Sequence, residues 1–289
     1  MLIYGLLSLL GLVVIIHLIW FMIFKRTFTP VLMYHRVTGD TKKDDVRFII
    51  HKGKRLDLDS MKVSPTNFDV QMAYLKKKGY QTLDLKKDFH KPKTVYITFD
   101  DGYEDNYLFA FNSLKKYGLK ATFFITSELA IKGLFMPIDS NDKRVENRLL
   151  TTNQIREMSE AKMQIGSHTL THPWLTHEGV NIEDEIVKSK RELEEIIGKE
   201  VTTFAYPGGL YNDKVLELVS KHYDVAVTTS LGESFRKKDE TPYTIERETI
   251  SSTDSLLMFK LKVWGVMKFI RKHPLIGLLK KVIKWLLRK

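Results

Sequence analysis

Cysteine is absent from this chain of 289 residues. Its absence excludes a disulfide framework and zinc ligation by thiolates, so any bound metal must be held by histidine and carboxylate side chains. The compartment stays open, because a protein without cysteine is suited to either side of a membrane. The chain also lacks internal repeats and low-complexity linkers, and its length fits one domain of the α/β-barrel size class with additional segments.

Charged side chains are missing from the first 24 residues. A helix over this segment would be about 36 Å long at about 1.5 Å per residue, enough to cross the hydrocarbon core of a bilayer. A cleaved signal peptide would need a basic start, a shorter apolar run and a small-residue cleavage site, none of which is present. We therefore predict an uncleaved transmembrane signal-anchor over residues 1–26, with Trp20, Lys25 and Arg26 at one membrane interface.

Acidic side chains are missing from residues 260–289, which carry ten Lys and Arg residues. Subtracting these ten charges from the formal net charge of +11 leaves +1 for the rest of the chain, so the basic character belongs to this tail. Apolar residues recur at helical spacing from Leu256 onward, which predicts two basic amphipathic helices on an anionic membrane surface over residues 256–289. The alternative is helices that pack on the rest of the protein. Nucleic-acid binding is not expected, because no nucleic-acid-binding module is recognisable.

Strand patterns alternate with helical patterns between these terminal segments. The alternation predicts a parallel sheet with right-handed crossovers, and a closed or nearly closed (β/α) barrel is the simplest arrangement. Residues 39–62 are charged and irregular, and we predict that they form a surface insertion in a domain that spans residues 27–255. The predicted strands lie over 30–37, 95–99, 121–126, 164–168, 201–206, 224–229 and 244–250. The predicted helices lie over 65–78, 107–116, 152–163, 182–197 and 213–222.

Two groups of polar residues follow predicted strands. Asp100 and Asp101 come directly after one strand, where Asp-Asp-Gly can also be an ordinary turn. His168 and His172 end a second strand, and histidines at this spacing can also be structural. Together, Asp and two His form a common ligand set for a catalytic metal with open positions. A zincin protease shares the His spacing but needs Glu directly after the first His, where this chain has Thr169.

Three segments, Thr98-Phe-Asp-Asp-Gly102, Ser167-His-Thr-Leu-Thr-His172 and Phe204-Ala-Tyr-Pro-Gly-Gly209, occur in this order along the chain. They resemble the first three motifs of the polysaccharide deacetylases, the NodB-like domains of carbohydrate esterase family 4. Leu32-Met-Tyr-His-Arg36 and Ser64-Pro-x-x-Phe68 are also typical of the family, and the resemblance covers residues 30–250. It implies a distorted (β/α) barrel of the NodB-homology type. The Ala-Tyr-Pro form of the third motif is similar to that of poly-β-1,6-N-acetylglucosamine deacetylases and many membrane-linked members.

The resemblance also assigns roles to individual residues. It implies that Asp101, His168 and His172 bind a divalent metal, most commonly Zn2+ with Co2+, Ni2+ or Mn2+ as alternatives, and that Asp100 is the catalytic base. A metal held by three side chains keeps a position for water and polarises an acetamide carbonyl. Backbone N–H groups of the third motif are expected to hold the oxyanion or contact the substrate. The residues concerned are Tyr206, Pro207, Gly208 and Gly209.

The chain departs from the family pattern at two places. Much of the family has an Arg in the third motif that orients the catalytic Asp, and this chain has Ala205 there. The Leu-x-His of the fifth motif, whose imidazole protonates the leaving group, has no match. We hypothesise that Arg247, in a late strand, replaces the missing orienter; a barrel salt bridge is the alternative. His35 is a candidate proton donor or substrate contact, with a packed histidine at a strand end as the alternative.

The sequence therefore predicts a metal-dependent N-deacetylase that acts on N-acetylated aminosugars of a cell-envelope polysaccharide or glycolipid. The alternatives are an O-acetyl esterase on envelope glycans and a non-catalytic glycan-binding relative. The expected partners are the glycan or a lipid-linked aminosugar and a bilayer with anionic lipids. We expect a single-pass anchor in the cell membrane and an extracytoplasmic catalytic domain. Because Lys25 and Arg26 follow the predicted span and no Lys or Arg precedes it, the positive-inside rule leaves the cytoplasmic face open.

Overall fold

The fold is known from a computed structural model. It describes residues 19–26, 28–39, 48–51, 54–57, 59–139, 147–229 and 241–272.

Seven parallel strands form a closed barrel in the spatial order β1, β11, β10, β9, β8, β7 and β6. The ring closes between β6 and β1, where Val31 aligns with Tyr96 and Tyr34 with Phe99. The predicted (β/α) barrel is therefore confirmed. The barrel strands are β1 (Val31–Tyr34), β6 (Tyr96–Phe99), β7 (Thr122–Ile125), β8 (Gln164–Ser167), β9 (Thr203–Ala205), β10 (Val225–Thr229) and β11 (Ile245–Thr249).

Helices cover the outside of the barrel. A capping serine, Ser64, accepts a hydrogen bond from the Asn67 N–H and starts α2, with Pro65 at the first helical position as the sequence predicts. The helices are α1 (19–26), α2 (Pro65–Lys77), α3 (Asn112–Tyr117), α4 (Ser127–Ile131), α5 (Thr152–Glu160), α6 (Ser189–Ile197), α7 (Asp213–His222), α8 (Leu256–Val263) and α9 (Val266–Lys272).

Two predicted helices begin in a different form from the one expected. The segment predicted over 107–116 starts as a π-helix at Asn106–Phe111 before α3, and the segment predicted over 182–197 starts as a π-helix at Asp184–Lys188 before α6. Each wider turn places a polar side chain on the loop that follows a barrel strand. π-Helical turns of this kind are frequent at functional sites.

Aromatic side chains fill the space between β1, β6, β7 and α2. The Phe99 ring stacks on Phe123 at a centroid distance of 4.7 Å and on Tyr34 at 5.2 Å. Phe68 of α2 meets the Tyr34 ring edge to face at 5.3 Å. All four rings are buried. This packing fixes β6, the strand that leads into Asp100, against its neighbours.

The predicted insertion over residues 39–62 is more regular than its sequence indicates. It contains the antiparallel pair β3 (Phe48–His51) and β4 (Lys54–Asp57). It ends in β5 (Lys62–Val63), which pairs with β2 (Arg36–Val37). The single strand predicted over 30–37 is therefore two strands, and His35 lies between them.

The terminal segments are described only in part. Most of the predicted signal-anchor, residues 1–18, and the last part of the predicted tail, residues 273–289, lie outside the described residues. No helix in the described part of the chain is both long enough and apolar enough to cross a membrane.

The first half of the tail, residues 256–272, packs against the barrel. Phe259 and Val263, which the sequence analysis assigned to a membrane-facing side, are buried in the core. Phe259 meets Tyr74 of α2 with its ring centroid 6.1 Å away, and the Trp264 Nε1–H donates to the Tyr74 hydroxyl at 3.0 Å. For α8 the alternative interpretation, packing on the protein, is the correct one, because the gap beside α2 accepts its apolar side.

Candidate active site

The polar residues of the first two motifs meet at the carboxyl ends of the barrel strands. Asp100 and Asp101 follow β6, and His168 follows β8. Loops at this end of parallel (β/α) barrels hold the active sites of such enzymes. The two motifs therefore meet at one location, although 66 residues lie between Asp101 and His168 in the sequence.

Asp101, His168 and His172 form one compact group of possible metal ligands. The Nε2 atoms of His168 and His172 each lie 3.5 Å from Asp101 Oδ1, and the two imidazole centroids are 4.8 Å apart. One ligand atom from each residue lies within 4.8 Å of the others. Asp101 and His172 have φ values of 74° and 64°, and a left-handed backbone at residues other than glycine is often found at functional sites.

The surroundings of the histidines suit metal binding. His168 Nδ1 lies 2.8 Å from the carbonyl oxygen of Ala205, so a proton on Nδ1 is donated there and Nε2 keeps its lone pair towards Asp101. Burial lowers the pKa of His172 to about 4, which keeps its imidazole neutral, the form that binds metals. The pKa of Asp101 is lowered although the carboxyl is buried, so the carboxyl stays ionised. This donor set fits a divalent metal.

The loop between the two histidines is held by Glu185 of the second π-helix. Its carboxylate accepts hydrogen bonds from the backbone N–H groups of Leu170 at 2.9 Å and Thr171 at 3.0 Å, and from the Thr171 hydroxyl at 2.6 Å. The Thr169 hydroxyl accepts the N–H of His172 at 3.0 Å. These bonds fix the position of His172.

Asp100 forms a buried bidentate ion pair with Arg247. Arg247 Nη1 lies 2.6 Å from Asp100 Oδ1, and Nη2 lies 2.6 Å from Oδ2. Arg247 is 0% exposed and Asp100 2% exposed. The guanidinium also donates to the Thr98 hydroxyl at 3.0 Å and the Thr228 carbonyl at 3.2 Å. Burial raises the pKa of Asp100, but the charge of Arg247 outweighs it, so the carboxylate stays ionised.

Known proteins with the same features identify the family. The family model for polysaccharide deacetylase matches residues 87–225. YxkH of Bacillus subtilis (strain 168), which carries a polysaccharide deacetylase name, is 31% identical over 245 residues, 80% of this chain and 75% of that protein. This chain belongs to the polysaccharide deacetylase family.

Other members of the family are similar to this chain in sequence and in fold. The poly-β-1,6-N-acetyl-D-glucosamine N-deacetylase of Staphylococcus aureus (strain MRSA252) is 26% identical over 254 residues, 83% of this chain and 84% of that protein. The crystal structure of BC0361, a polysaccharide deacetylase from Bacillus cereus, superimposes with a TM-score of 0.63 at 30% identity, over 81% of this chain and 68% of that one. The Streptococcus pyogenes deacetylase PplD gives a TM-score of 0.62 at 25% identity, over 81% of this chain and 97% of that one.

His35 also reaches the site of this deacetylase chain. Its side chain is half-buried, and its Nδ1 atom is buried without a hydrogen-bond partner among the described residues. The N–H of Asp100 donates to the Tyr34 carbonyl at 3.0 Å, so His35, which follows Tyr34, lies at the same end of the barrel as Asp100 and Asp101. The backbone carbonyl of His35 accepts the Asn106 amide at 2.9 Å, which fixes the loop.

The third motif offers fewer free backbone donors than the sequence analysis expected. The N–H of Tyr206 already donates to the Val227 carbonyl at 3.2 Å, and the N–H of Gly209 donates to the Tyr206 carbonyl at 2.8 Å. Pro207 has no N–H. The Tyr206 side chain is fully buried, and its hydroxyl donates to the Tyr243 carbonyl at 3.1 Å. The N–H groups of Tyr206 and Gly209 therefore already have acceptors, so the exposed Gly208 is the candidate oxyanion donor in this segment, and the substrate contacts of Tyr206, Pro207 and Gly209 stay a prediction.

A buried network of hydrogen bonds around Arg36, next to His35, was not predicted from the sequence. Arg36 Nε lies 2.7 Å from Asp105 Oδ2, and Arg36 Nη1 donates to the Asn147 side chain at 2.7 Å. The guanidinium also lies over the Tyr103 ring, 4.2 Å from its centroid. The network joins the loops that follow β1 and β6. Its only sequence signal is an Arg within a predicted strand, which does not identify a partner 69 residues away.

Proposed function

We propose that this chain is a metal-dependent N-deacetylase that removes acetyl groups from N-acetylated aminosugars of a cell-envelope polysaccharide or glycolipid. The observation that carries the proposal is the pairing of two units at one end of the barrel. One unit is the ligand group of Asp101, His168 and His172. The other is an ionised carboxylate, Asp100, held by Arg247 next to that group.

Asp101, His168 and His172 would hold a divalent metal, with Zn2+ expected for nitrogen and carboxylate ligands and Co2+, Ni2+ or Mn2+ as alternatives. When bound, such a metal supplies Lewis acidity that polarises the acetamide carbonyl and makes water a better nucleophile. The ligand loop itself is held in place by Glu185 and by the Ala205 carbonyl.

Asp100 is proposed as the general base that accepts the proton of the attacking water. The fork of Arg247 fixes both carboxylate oxygens, and each oxygen keeps a lone pair for that proton. Arg247 is thus the proposed positioning residue. It takes the role of the third-motif Arg of the family, whose position is occupied by Ala205 in this chain.

His35 and Gly208 complete the proposed machinery. An amine leaves poorly unless it is protonated, and the partnerless Nδ1 of His35 offers a proton donor beside the carboxylates. The N–H of Gly208, an exposed residue, is the proposed backbone donor to the oxyanion.

The substrate class is supported by chemistry and by the names of relatives. The Staphylococcus aureus relative is named for an N-acetylglucosamine polymer. The same base and ligand set could also cleave O-acetyl esters, whose leaving group needs less help. Without turnover, the protein would be a glycan-binding relative, but an intact base and ligand group favour the hydrolase.

The test is acetate release by the full-length protein from β-1,4- and β-1,6-linked N-acetylglucosamine oligomers and from lipid-linked acetamido sugars. We expect release with metal, loss with a chelator, recovery on adding Zn2+, and near-complete loss in Asp100→Asn. Asp184→Asn is the matched control, because this exposed carboxylate pairs only with Lys188 of the same helical segment in the described contacts. Release only from O-acetylated glycans would identify an esterase. No release from any substrate would leave the glycan-binding alternative.

We also propose that the protein is anchored in the cell membrane by its N-terminal segment, with the catalytic domain outside the cytoplasm. The absence of charge in residues 1–18 supports the anchor, and the envelope glycan chemistry supports the outer side. Protease added to intact cells should remove a C-terminal epitope tag. Full protection of the tag would place the domain in the cytoplasm, as the positive-inside rule alone suggests.

A further inference from the structure

The N-terminal helix and the C-terminal helix pack on each other. The ring of Phe269 in α9 lies 5.3 Å from Phe21 and 5.5 Å from Phe24 of α1, centroid to centroid. Gly265, just before α9, has a φ of 79°, and a Cβ there would lie 2.4 Å from the Phe28 ring. The contact therefore requires glycine. We call α1 and α9 together the terminal junction.

In the terminal junction, α1 enters the barrel at the end opposite to the site, and α9 packs on α1 and on the outer side of β11. α1 leads directly into β1, and Thr29 and Pro30 contact the residues that precede and begin β6, Lys91 and Tyr96. The candidate site lies at the carboxyl ends of the same strands. Strands of four residues at about 3.3 Å per residue place the two ends roughly 13 Å apart before the loops are added.

The junction exposes apolar side chains although its other face is packed. Ile19, Trp20, Met22 and Ile23 of α1 are 54%, 49%, 58% and 57% exposed, and Ile270 of α9 is 39% exposed. Grouped exposed apolar side chains mark an interaction site.

The neighbouring charges select the partner. Lys25 and Arg26, both exposed, end α1 beside this apolar group. The residues before α1 carry no charge, and residues 273–289, which follow α9, carry five Lys and Arg and no acidic residue. Because α1 and α9 are in contact, these two segments start from one place. Exposed apolar side chains next to cations suit the surface of an anionic bilayer. A second copy would bring like charges together, which disfavours a dimer there.

We propose that the terminal junction docks on a bilayer with anionic headgroups and directs the candidate site away from it. What this orientation implies about the substrate rests on the proposed deacetylase function. A site that faces away from the lipid reaches a glycan chain that extends from the membrane, and it does not reach an acetamido sugar attached directly to a lipid in the same bilayer.

The absence of cysteine allows a direct test by single-cysteine labelling of the full-length protein. A fluorophore is placed at Ile270→Cys in the junction or at Ile131→Cys in α4, which follows the carboxyl end of β7 and is 42% exposed, a close match to Ile270. The labelled proteins are reconstituted into phosphatidylcholine vesicles with or without phosphatidylglycerol, which contain a lipid-borne spin label as quencher. Thermal unfolding midpoints equal to that of the unlabelled protein check the fold.

We expect strong quenching of the Ile270→Cys label, greater with phosphatidylglycerol, and no quenching of the Ile131→Cys label. An unquenched Ile270→Cys label, or equal quenching at both positions, would overturn the docking proposal. A change in the Ile270→Cys signal with protein concentration in lipid-free detergent would point to a second copy and also overturn it. Acetate release from soluble oligomers in detergent is measured on the same samples, so failure of docking is distinguished from failure of the proposed function.

Discussion

At the scale of single residues, Arg247 keeps the buried carboxylate of Asp100 ionised. A carboxylate buried this deeply would tend to take up a proton and lose its value as a base. The planar guanidinium contacts both carboxylate oxygens, and two further N–H groups donate to Thr98 and Thr228. A lysine has the charge but not this fork, so the two residues are not equivalent here.

We predict that Arg247→Gln destabilises the fold and nearly abolishes activity. Removal of one partner of a buried ion pair costs about 3–5 kcal/mol, because the other charge stays buried without compensation. Misplacement of the base adds a loss of about 100-fold in kcat. Arg247→Lys should recover more of the stability than of kcat. Chemical denaturation and acetate release measure the two effects.

The control for this prediction is Arg191→Gln, since Arg191 forms an exposed pair with Glu195 on the surface of α6. Such pairs contribute little to stability. If Arg247→Gln behaved like Arg191→Gln in both measurements, Arg247 would have no positioning role.

At the scale of elements, the two π-helices hold the loops that carry the site. The first brings the Asn106 amide to the His35 carbonyl, and the second brings Glu185 to the loop between His168 and His172. The sequence predicted helices at both places but not their wider first turns. The same residue types suit an α-helix, and the π form depends on contacts with loops distant in sequence.

Glu185→Gln is predicted to weaken metal binding. The glutamine side chain has the same length, and its amide oxygen can accept the same two N–H groups, but these bonds lose the charge of the carboxylate. Its NH2 group would meet the Thr171 hydroxyl, which now donates to the carboxylate and would have to accept instead. The loop at His172 should loosen and metal affinity should fall about 10- to 100-fold, as for other residues that support ligands. Competition for Zn2+ with a chromogenic chelator measures the affinity. Glu195→Gln, on an exposed surface of α6, is the control, and equal affinities for the two variants would exclude this role for Glu185.

At the scale of the whole molecule, local patterns predicted the barrel and the neighbourhood of Asp100, Asp101, His168 and His172, because alternating elements and adjacent strand ends are properties of short segments. The role of Arg247 as the partner of Asp100 remained one of two interpretations, since the two residues are 147 positions apart in the sequence. The packing of α8 on the barrel remained one of two interpretations for the same reason. Apolar spacing in 256–272 shows that a helix has an apolar side, but not whether lipid or protein covers it.

The last prediction follows from what this tail does for β11, the strand that carries Arg247. Glu246 and Glu248 flank Arg247 on the strand and are buried. Arg271 of α9 contacts Glu248 at 3.0 Å and Glu246 at 3.2 Å. Lys272, also in α9, contacts Glu246 at 3.3 Å. A chain that ends after Ser255 would lose the cations that neutralise these two carboxylates. It would also lose the buried side chains of Phe259 and Val263 and expose the apolar surface that they cover. Burial of each such side chain contributes about 1.5–3 kcal/mol to the free energy of unfolding.

We therefore expect the chain that ends at Ser255 to be unfolded or to melt far below the full-length protein. The chain that ends at Lys272 keeps every contact just named and should melt close to the full-length protein in the same detergent. Thermal unfolding followed by circular dichroism compares the three. Equal melting temperatures for all of them would mean that α8 and α9 do not belong to the folding unit, whereas the expected order makes them the outer cover of the strand that positions the catalytic base.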